Sequence, residues 1–431
     1  MRQPLQDRIK LAKKKWFDVR DKYSSELNIY QLKTYHSASK IRLEQFLALR
    51  TVWVTLTRDQ FNPDEWGIND INGAADLLRT KESWPQYLNH VHKVAPDSIH
   101  PVPCIGGFEI VWYHQQLVQD LVDLEDYTAP KPDFSPIANR TRNRLKRKRQ
   151  IERLDTPCPP SREPPRHAAK RKREEEKQRK EKINNGINKY FNNAFAAPSV
   201  SKPLPSLNEA AMLNSSFDND ETPAVPSSQR STQVTGSDPE YAEEGKFPRH
   251  QDEQIVNTCL ITFANVATFT VPGVKAHWSL QRKGFTFGQG ANKLYEARID
   301  GHLYTLANSK KSRVIVEVKK RERFALKAVH MQETAQMAAW ISSEPDAHQE
   351  ASRGSWKGYR RFLVSQNRHE IFLTVAEYDS QYLDYIQNPG YDLDPSLMTM
   401  FQFGPWNVSK RTHMNEFAAI LLAMTLQLGS E

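Results

Sequence analysis

Apolar and polar residues change their rhythm along this chain, and each change predicts a different kind of element. From Leu11 to Phe46, apolar and aromatic positions recur at helical spacing. The pattern continues in GFEIVWYHQQLVQDLVDLEDY, where Ile110, Leu117, Leu121 and Leu124 are expected to form a buried helical stripe. Residues 1–127 therefore read as a folded, mainly helical region. A second patterned stretch starts near residue 246. There DEQIVNTCLITFANVATF has a helical period, with Glu253 on the face of Val256, Leu260, Ala264 and Ala267. LYEARIDGHLYTL then alternates, which predicts a strand. Arg298, Asp300, His302 and Tyr304 take one side; Ala297, Ile299, Gly301 and Leu303 take the other. A turn at ANSKKS and the run SRVIVEVKK complete a hairpin. Beyond it AVHMQETAQMAAWISS reads as a helix, RFLVSQNRHEIFLTVAEY as two strands joined at QNRH, and THMNEFAAILLAMTLQLG as a closing amphipathic helix.

Residues 128–245 carry no such period. Proline, serine, asparagine and charge dominate, as in TPCPPSREPPRHAAKRKREEEKQRKEK, and little apolar surface is present to offset the entropy of ordering the backbone. A disordered basic and Pro/Ser-rich linker is the expectation, with a transient helix over 168–190. Composition sharpens this division. The net charge of +9 is concentrated: residues 131–190 hold 20 Lys or Arg against 8 Asp or Glu, so the rest of the chain is slightly acidic. RNRLKRKR (142–149) and KRKR (170–173) are dense clusters of the kind that bind nuclear import receptors or phosphate backbones, or that simply solubilise a linker. The run KLAKKKW near the start suits nucleic-acid contact or one solvated helix face.

The three cysteines are far apart and unpaired in pattern, which points to a reducing compartment rather than a disulfide framework. MRQPLQDRIKLAKKKW has no apolar signal core, and no run approaches the ~18 apolar residues of a membrane span. A soluble, nuclear protein without a membrane partner is the expectation. His90, His92, His100 and Cys104 offer zinc-type donors in NHVHKVAPDSIHPVPC, at a spacing that fits no common finger.

The hairpin holds the candidate chemistry. A strand places Glu317 and Lys319 on one face, away from Val314, Val316 and Val318, and the pairing puts Asp300 beside Glu317 at similar height. Two facing carboxylates repel unless positive charge lies between them. Lys319 alone is one solution, and a hard divalent cation held by oxygen ligands is another. Glu253 sits at a helix N-terminus, which favours negative charge whatever else the residue does. Gln332, Gln336 and Trp340 lie one turn apart on a single face of the following helix.

The order is a helix with an acid, strands, Asp, Glu-x-Lys, a helix with Gln, and a strand. In this the chain resembles the PD-(D/E)XK nuclease superfamily, and in particular the PD-(D/E)XK nuclease-like domains of fungal proteins. The matching text is Glu253, RIDGHLY around Asp300, VEVKK around Glu317 and Lys319, and QETAQMAAW, over roughly residues 246–425. Ile299 stands where the family name has proline, and Trp340 where the Q-x-x-x-Y element of some members has tyrosine. The resemblance implies a fold of the α+β or α/β class. With the helical N-terminal region and the disordered linker read above, this gives a chain whose last part, 246–431, is a restriction-endonuclease-like mixed sheet flanked by helices.

It also implies a metal-dependent nuclease (a hydrolase of phosphodiester bonds). Asp300 and Glu317 would bind Mg²⁺ or Mn²⁺, with the Val318 carbonyl as a further ligand. Lys319 would orient the attacking water and stabilise transition-state charge. Glu253 would reach the metal through water or hold a ligand, and Gln332 or Gln336 would position Lys319 or the nucleic-acid backbone. Lys310, Lys311, Arg313, Lys320, Arg321 and Arg323 suit a phosphate polymer, with DNA the first expectation. The alternative implied is the same fold without catalysis, as a DNA-binding or interaction module.

Overall fold

Strands rich in Val, Ile, Leu and Phe can bury both faces only when helices cover both, and the apolar runs of the second half do so at the centre of a mixed sheet. A computed structural model describes residues 4–23, 28–91, 104–119, 253–288, 290–323, 328–345, 351–390 and 396–430. The main sheet runs β1 (Thr51–Leu56), β10 (Met398–Asn407), β9 (Glu370–Tyr378), β8 (Trp356–Asn367), β6 (Val314–Lys319), β5 (Gly301–Thr305), β2 (Ala276–Ser279). A short β7 (Ala351–Arg353) pairs with β8 off this path. β1 is parallel to β10 and β6 to β8, while the remaining neighbours are antiparallel. A separate two-stranded sheet joins β3 (Gly284–Phe287) to β4 (Tyr295–Arg298).

Two hydrophobic cores lie on opposite faces of the sheet. Val314, Val316 and Val318 enter the first, with Val364, Leu373 and Val375 from the neighbouring strands. Covering helices on this side are α3 (Ile71–Arg79), α4 (Ser83–His90), α5 (Phe108–Gln119), α6 (Glu253–Thr268) and α9 (Arg411–Ser430). Ile315, Leu363 and Ala376, the intervening positions, enter the second core. There they meet α2 (Leu43–Ala48), α7 (Val329–Ser343) and α8 (Ser380–Gln387). α1 (Leu5–Tyr23) packs on β1 and buries Trp16 on this second side. Each fully buried aliphatic or phenyl side chain contributes roughly 1.5–3 kcal/mol relative to exposure. The functional end of the sheet follows from one connection: α6 leads into β2, β5 and β6, and α7 then crosses over to place β8 parallel to β6.

The N-terminal region is not a helical domain apart. TVWVTL is a run of β-branched and aromatic residues, and it forms β1, in register with β10 from Thr51↔Met398 to Leu56↔Phe403. Trp53 Nε1 donates to Thr334 Oγ1 of α7 at 2.9 Å, and the Tyr382 and Tyr385 hydroxyls of α8 donate to the carbonyls of Leu49 and Ala48. Residues on both sides of the 128–245 stretch therefore belong to one compact unit. In α5 the buried positions are Phe108, Val111, Trp112, Gln115, Gln116 and Val118. Ile110, expected inside, is 47% exposed, because the larger Phe108 and Trp112 win the inward face.

The continuous strand expected over LYEARIDGHLYTL is broken in two. Ile299 N–H still bonds back to the Lys283 carbonyl in the small sheet, whereas Asp300 N–H bonds to Val316 in the main one. The chain changes sheets between these residues, so Ala297 and Ile299 enter the second core and Leu303 the first. Gly301 is needed at this crossing, since a Cβ there would lie 2.5 Å from the Ser279 carbonyl oxygen. The β5–β6 connection is also longer than ANSKKS, running over 306–313. β8, β9 and α9 form where the sequence places them. The expectations for 128–245, including both basic clusters, fall outside the described residues. Among those described, no helix is long and apolar enough to cross a membrane.

Candidate functional site

Asp300 owes its position to the change of sheets. Its backbone is fixed by Val316 on one side and, through its carbonyl, by Asn257 Nδ2 of α6 at 2.9 Å. Its carboxylate accepts from the Val318 N–H at 3.1 Å and from Arg282 Nη2 at 2.8 Å. Val318 thus serves the site through its N–H, while its side chain lies in the core on the opposite face.

Across the β5–β6 pair, Glu317 is 2% exposed and draws three donors. Lys319 Nζ and Gln332 Nε2 each reach Oε1 at 2.5 Å, and Gln336 Nε2 reaches Oε2 at 2.5 Å. The Gln336 amide also donates to the Arg298 carbonyl at 2.9 Å, which ties α7 to the end of β4. Glu253, in the first turn of α6, lies 3.8 Å from Lys319 Nζ.

Burial pushes the Glu317 carboxyl up to about 8; Lys319 opposes this and the Asp300 carboxylate adds to it. Burial alone would lower Lys319, but Glu317, with Glu253 and Asp300 beyond it, carries the ammonium above its ordinary value. The side-chain reading of the strand is therefore realised: Glu317 and Lys319 share a face, pointing at α7.

Glu253, Asp300, Glu317, Lys319 and Gln332 line one pocket of about 520 Å³. Gln336 is fully buried behind it and touches Glu317 from the helix side. Trp340 is not part of the site. Its ring packs near Phe285 and beneath the Arg361 guanidinium, and its Nε1 donates to Glu344. His302 is likewise turned into structure, bonded to Ser312 and held neutral by burial, with its pKa lowered to about 4. Of the basic residues expected to face phosphate, Arg323 is buried instead and forms a two-armed pair with Glu333, its Nη2 also reaching Ser365. His92 and His100 lie outside the described residues; His90 Nδ1 bonds to the Gln86 carbonyl and Cys104 is exposed.

Five wall residues have no counterpart in the sequence reading of the site: Ser37, Ala38, Ser39, Arg282 and Glu296. Arg282 was signalled weakly by QRKG before a strand. The serines gave no signal, because they come from the N-terminal region and arrive only through tertiary packing; the Gln45 carboxamide clamps their loop by bonding both the N–H and the carbonyl of His36.

Two carboxylates with oxygen donors suit Mg²⁺ or Mn²⁺ in kind. Asp300 accepts two hydrogen bonds and Glu317 three, which leaves lone pairs on each, since a carboxylate has about four acceptor sites. Gln336 Oε1 is buried beside them without a partner, an acceptor that a bound water would satisfy. Arg282 and Lys319 supply here the positive charge that a cation would bring. Among the described residues, no three His, Cys, Asp or Glu side chains are grouped as a ready metal cluster. No protein-family model, curated protein or solved structure matches the chain.

Proposed function

We propose that this chain is a metal-dependent nuclease of the PD-(D/E)XK type, hydrolysing phosphodiester bonds in a nucleic acid, with DNA the first candidate. One observation carries the reading: Asp300, Glu317 and Lys319 converge in a single pocket with the acid of α6 and Gln332 of the crossover helix α7, while Gln336 holds Glu317 from behind. The element order from α6 to β8 is the order on which the resemblance rests. Asp300 and Glu317 would hold the cation. Bound there, Mg²⁺ or Mn²⁺ would polarise a phosphate oxygen and lower the pKa of a water.

The protein's own groups do the rest. Lys319 Nζ, held between Glu317 and Glu253, would donate to the incoming water or to the charge that develops on phosphorus-bound oxygen. Gln332 fixes Glu317 from the pocket side and Gln336 from behind, so its carboxylate keeps one orientation as charge moves. Arg282 and Arg298, both largely exposed at the rim, are available to phosphates flanking the scissile one.

A second reading has a specific observation in its favour. Glu317 already accepts from three donors, which suits a nuclease fold that has kept its nucleic-acid surface and lost catalysis. Lys319→Ala and Asp300→Asn separate the two. In the active reading, Lys319→Ala retains Mn²⁺ binding and loses cleavage of DNA or RNA by at least about a hundredfold. Asp300→Asn weakens Mn²⁺ binding itself. A wild-type protein that shows neither a metal-dependent melting shift nor cleavage of either polymer would hand first place to the inactive module.

A further inference from the structure

Among the described residues, arginine pairs that engage a buried carboxylate are of two kinds. Arg323 and Glu333 are both buried and meet through two parallel contacts of 2.7 and 2.9 Å. Glu377 is buried between Arg353 and Arg360, whose side chains are 10% and 7% exposed. Such pairs are fixed parts of a core, because neither partner can leave without stranding the other. Arg282 and Asp300 differ. The contact is a single one, from Nη2 to Oδ1, and the arginine side chain is 51% exposed while the aspartate side chain is 9% exposed. Arg282 sits in the connection between β2 and β3, outside the sheet. Leaving Asp300 therefore costs the arginine little, yet leaves the buried carboxylate with the Val318 N–H and without its paired guanidinium. The exposed partner also lines the pocket, where a phosphate would meet it.

We infer that Arg282 is an exchangeable counter-ion for Asp300, moving to a phosphate when a polyanion enters and so releasing the carboxylate for a metal cation. This rests on the reading of Asp300 as a metal ligand. A guanidinium binds phosphate through paired N–H groups, which a single contact to Asp300 does not match. Metal and nucleic acid then bind with positive coupling, and reciprocity requires each to tighten the other by the same factor. In the free protein the same arginine keeps stray divalent cations from occupying the site without substrate. Arg282 is on this account a positioning residue, acting through Asp300 and through the phosphate that it contacts.

The test uses the full chain, with Mn²⁺ binding followed by the electron-paramagnetic signal of the free ion. The polyanion is a short phosphorothioate DNA oligonucleotide, and the Mn²⁺ held by the oligonucleotide alone is subtracted. Wild type should bind Mn²⁺ about three- to tenfold more tightly when the oligonucleotide is present. Arg282→Gln should show that tighter affinity without the oligonucleotide and gain nothing from its addition. Arg282→Lys, which keeps the charge and loses the planar geometry, should fall between them. An Arg282→Gln protein with wild-type Mn²⁺ affinity and wild-type response, alongside an Asp300→Asn protein that has lost the metal, overturns the counter-ion role and leaves the metal site standing. Absence of Mn²⁺ binding in every form removes the metal site and this inference with it.

Discussion

Glu317 gives the protein a pH dependence whose sign and size follow from its surroundings. The carboxyl is 2% exposed and pushed up to about 8 from an ordinary 4.5, by burial first. Its neighbours are Lys319 on its own strand, Asp300 across the hairpin, and Gln332 and Gln336 of α7, with Glu253 of α6 behind Lys319. A raised acid binds more protons in the folded state than in the unfolded one. Its contribution to stability is therefore complete below pH 4.5 and is lost as pH rises through about 8. Buried His302 and His330 work the other way: both are lowered to about 4, so stability rises with pH from there to 6.5. The two effects oppose each other in acid, and between pH 6.5 and 8 the Glu317 effect is left. One proton is worth about 1.4 kcal/mol per pH unit, hence about 2 kcal/mol across that window.

For a domain of moderate size this is a fall of roughly 4–8 °C in Tm. Thermal melts of the metal-free protein in a series of buffers measure it directly. Glu317→Gln should flatten the curve between pH 6.5 and 8. Under the nuclease reading, saturating Mg²⁺ should flatten it too, because the cation takes the place of the proton, and the stabilisation by metal should grow with pH. A wild-type Tm that is level or rising from pH 6.5 to 8 would refute the reasoning. An equal slope in Glu317→Gln would assign the effect to another group.

Glu333→Ala leaves the Arg323 guanidinium buried opposite an empty space and should cost about 3–5 kcal/mol in chemical denaturation, with much of that recovered in an Arg323→Met, Glu333→Met double variant. A Glu333→Ala protein of wild-type stability would show the pair to be solvated. Neutralising Lys146–Arg149 together with Lys170–Arg173 should shift a fluorescently tagged chain from nucleus to cytoplasm. An unchanged distribution would remove nuclear import from the proposal and leave the chemistry untouched.

Local pattern made part of this fold legible. β6 and the β8–β9 pair are apolar runs of strand composition, α6, α7 and α9 are long stretches of helix formers, and the Glu317–Lys319 face follows from strand geometry alone. The break at Asp300 was not legible. Alternation continues through Ile299 and Gly301, and the strand changes sheets only because the Ser279 carbonyl and Val316 claim the two sides of the backbone. β1 was hidden by its neighbours: TVWVTL has strand composition, but it sits between helices in a region whose overall rhythm is helical. The half of the site built by Asp300, Glu317 and Lys319 could be read because its residues are adjacent in one hairpin. Arg282 and the serines could not, since their roles depend on who stands opposite them in space.

The pairing of residues 51–56 with residues 398–403 has a consequence for the chain as a polymer. α5 and α6 pack on each other, so the described chain breaks off at Gln119 and resumes at Glu253 within one pair of packed helices. The described residues before and after the stretch 120–252 belong to one compact unit. Severing that stretch would open the covalent chain without removing any described contact, and the two polypeptides should remain associated and be separable only by unfolding. The same geometry permits the protein to be supplied as two co-expressed pieces that reconstitute one sheet. The hairpins β5–β6 and β8–β9 join residues close in sequence, whereas β1 pairs with β10 across most of the chain's length, so loop-closure entropy should make that edge the slowest to close.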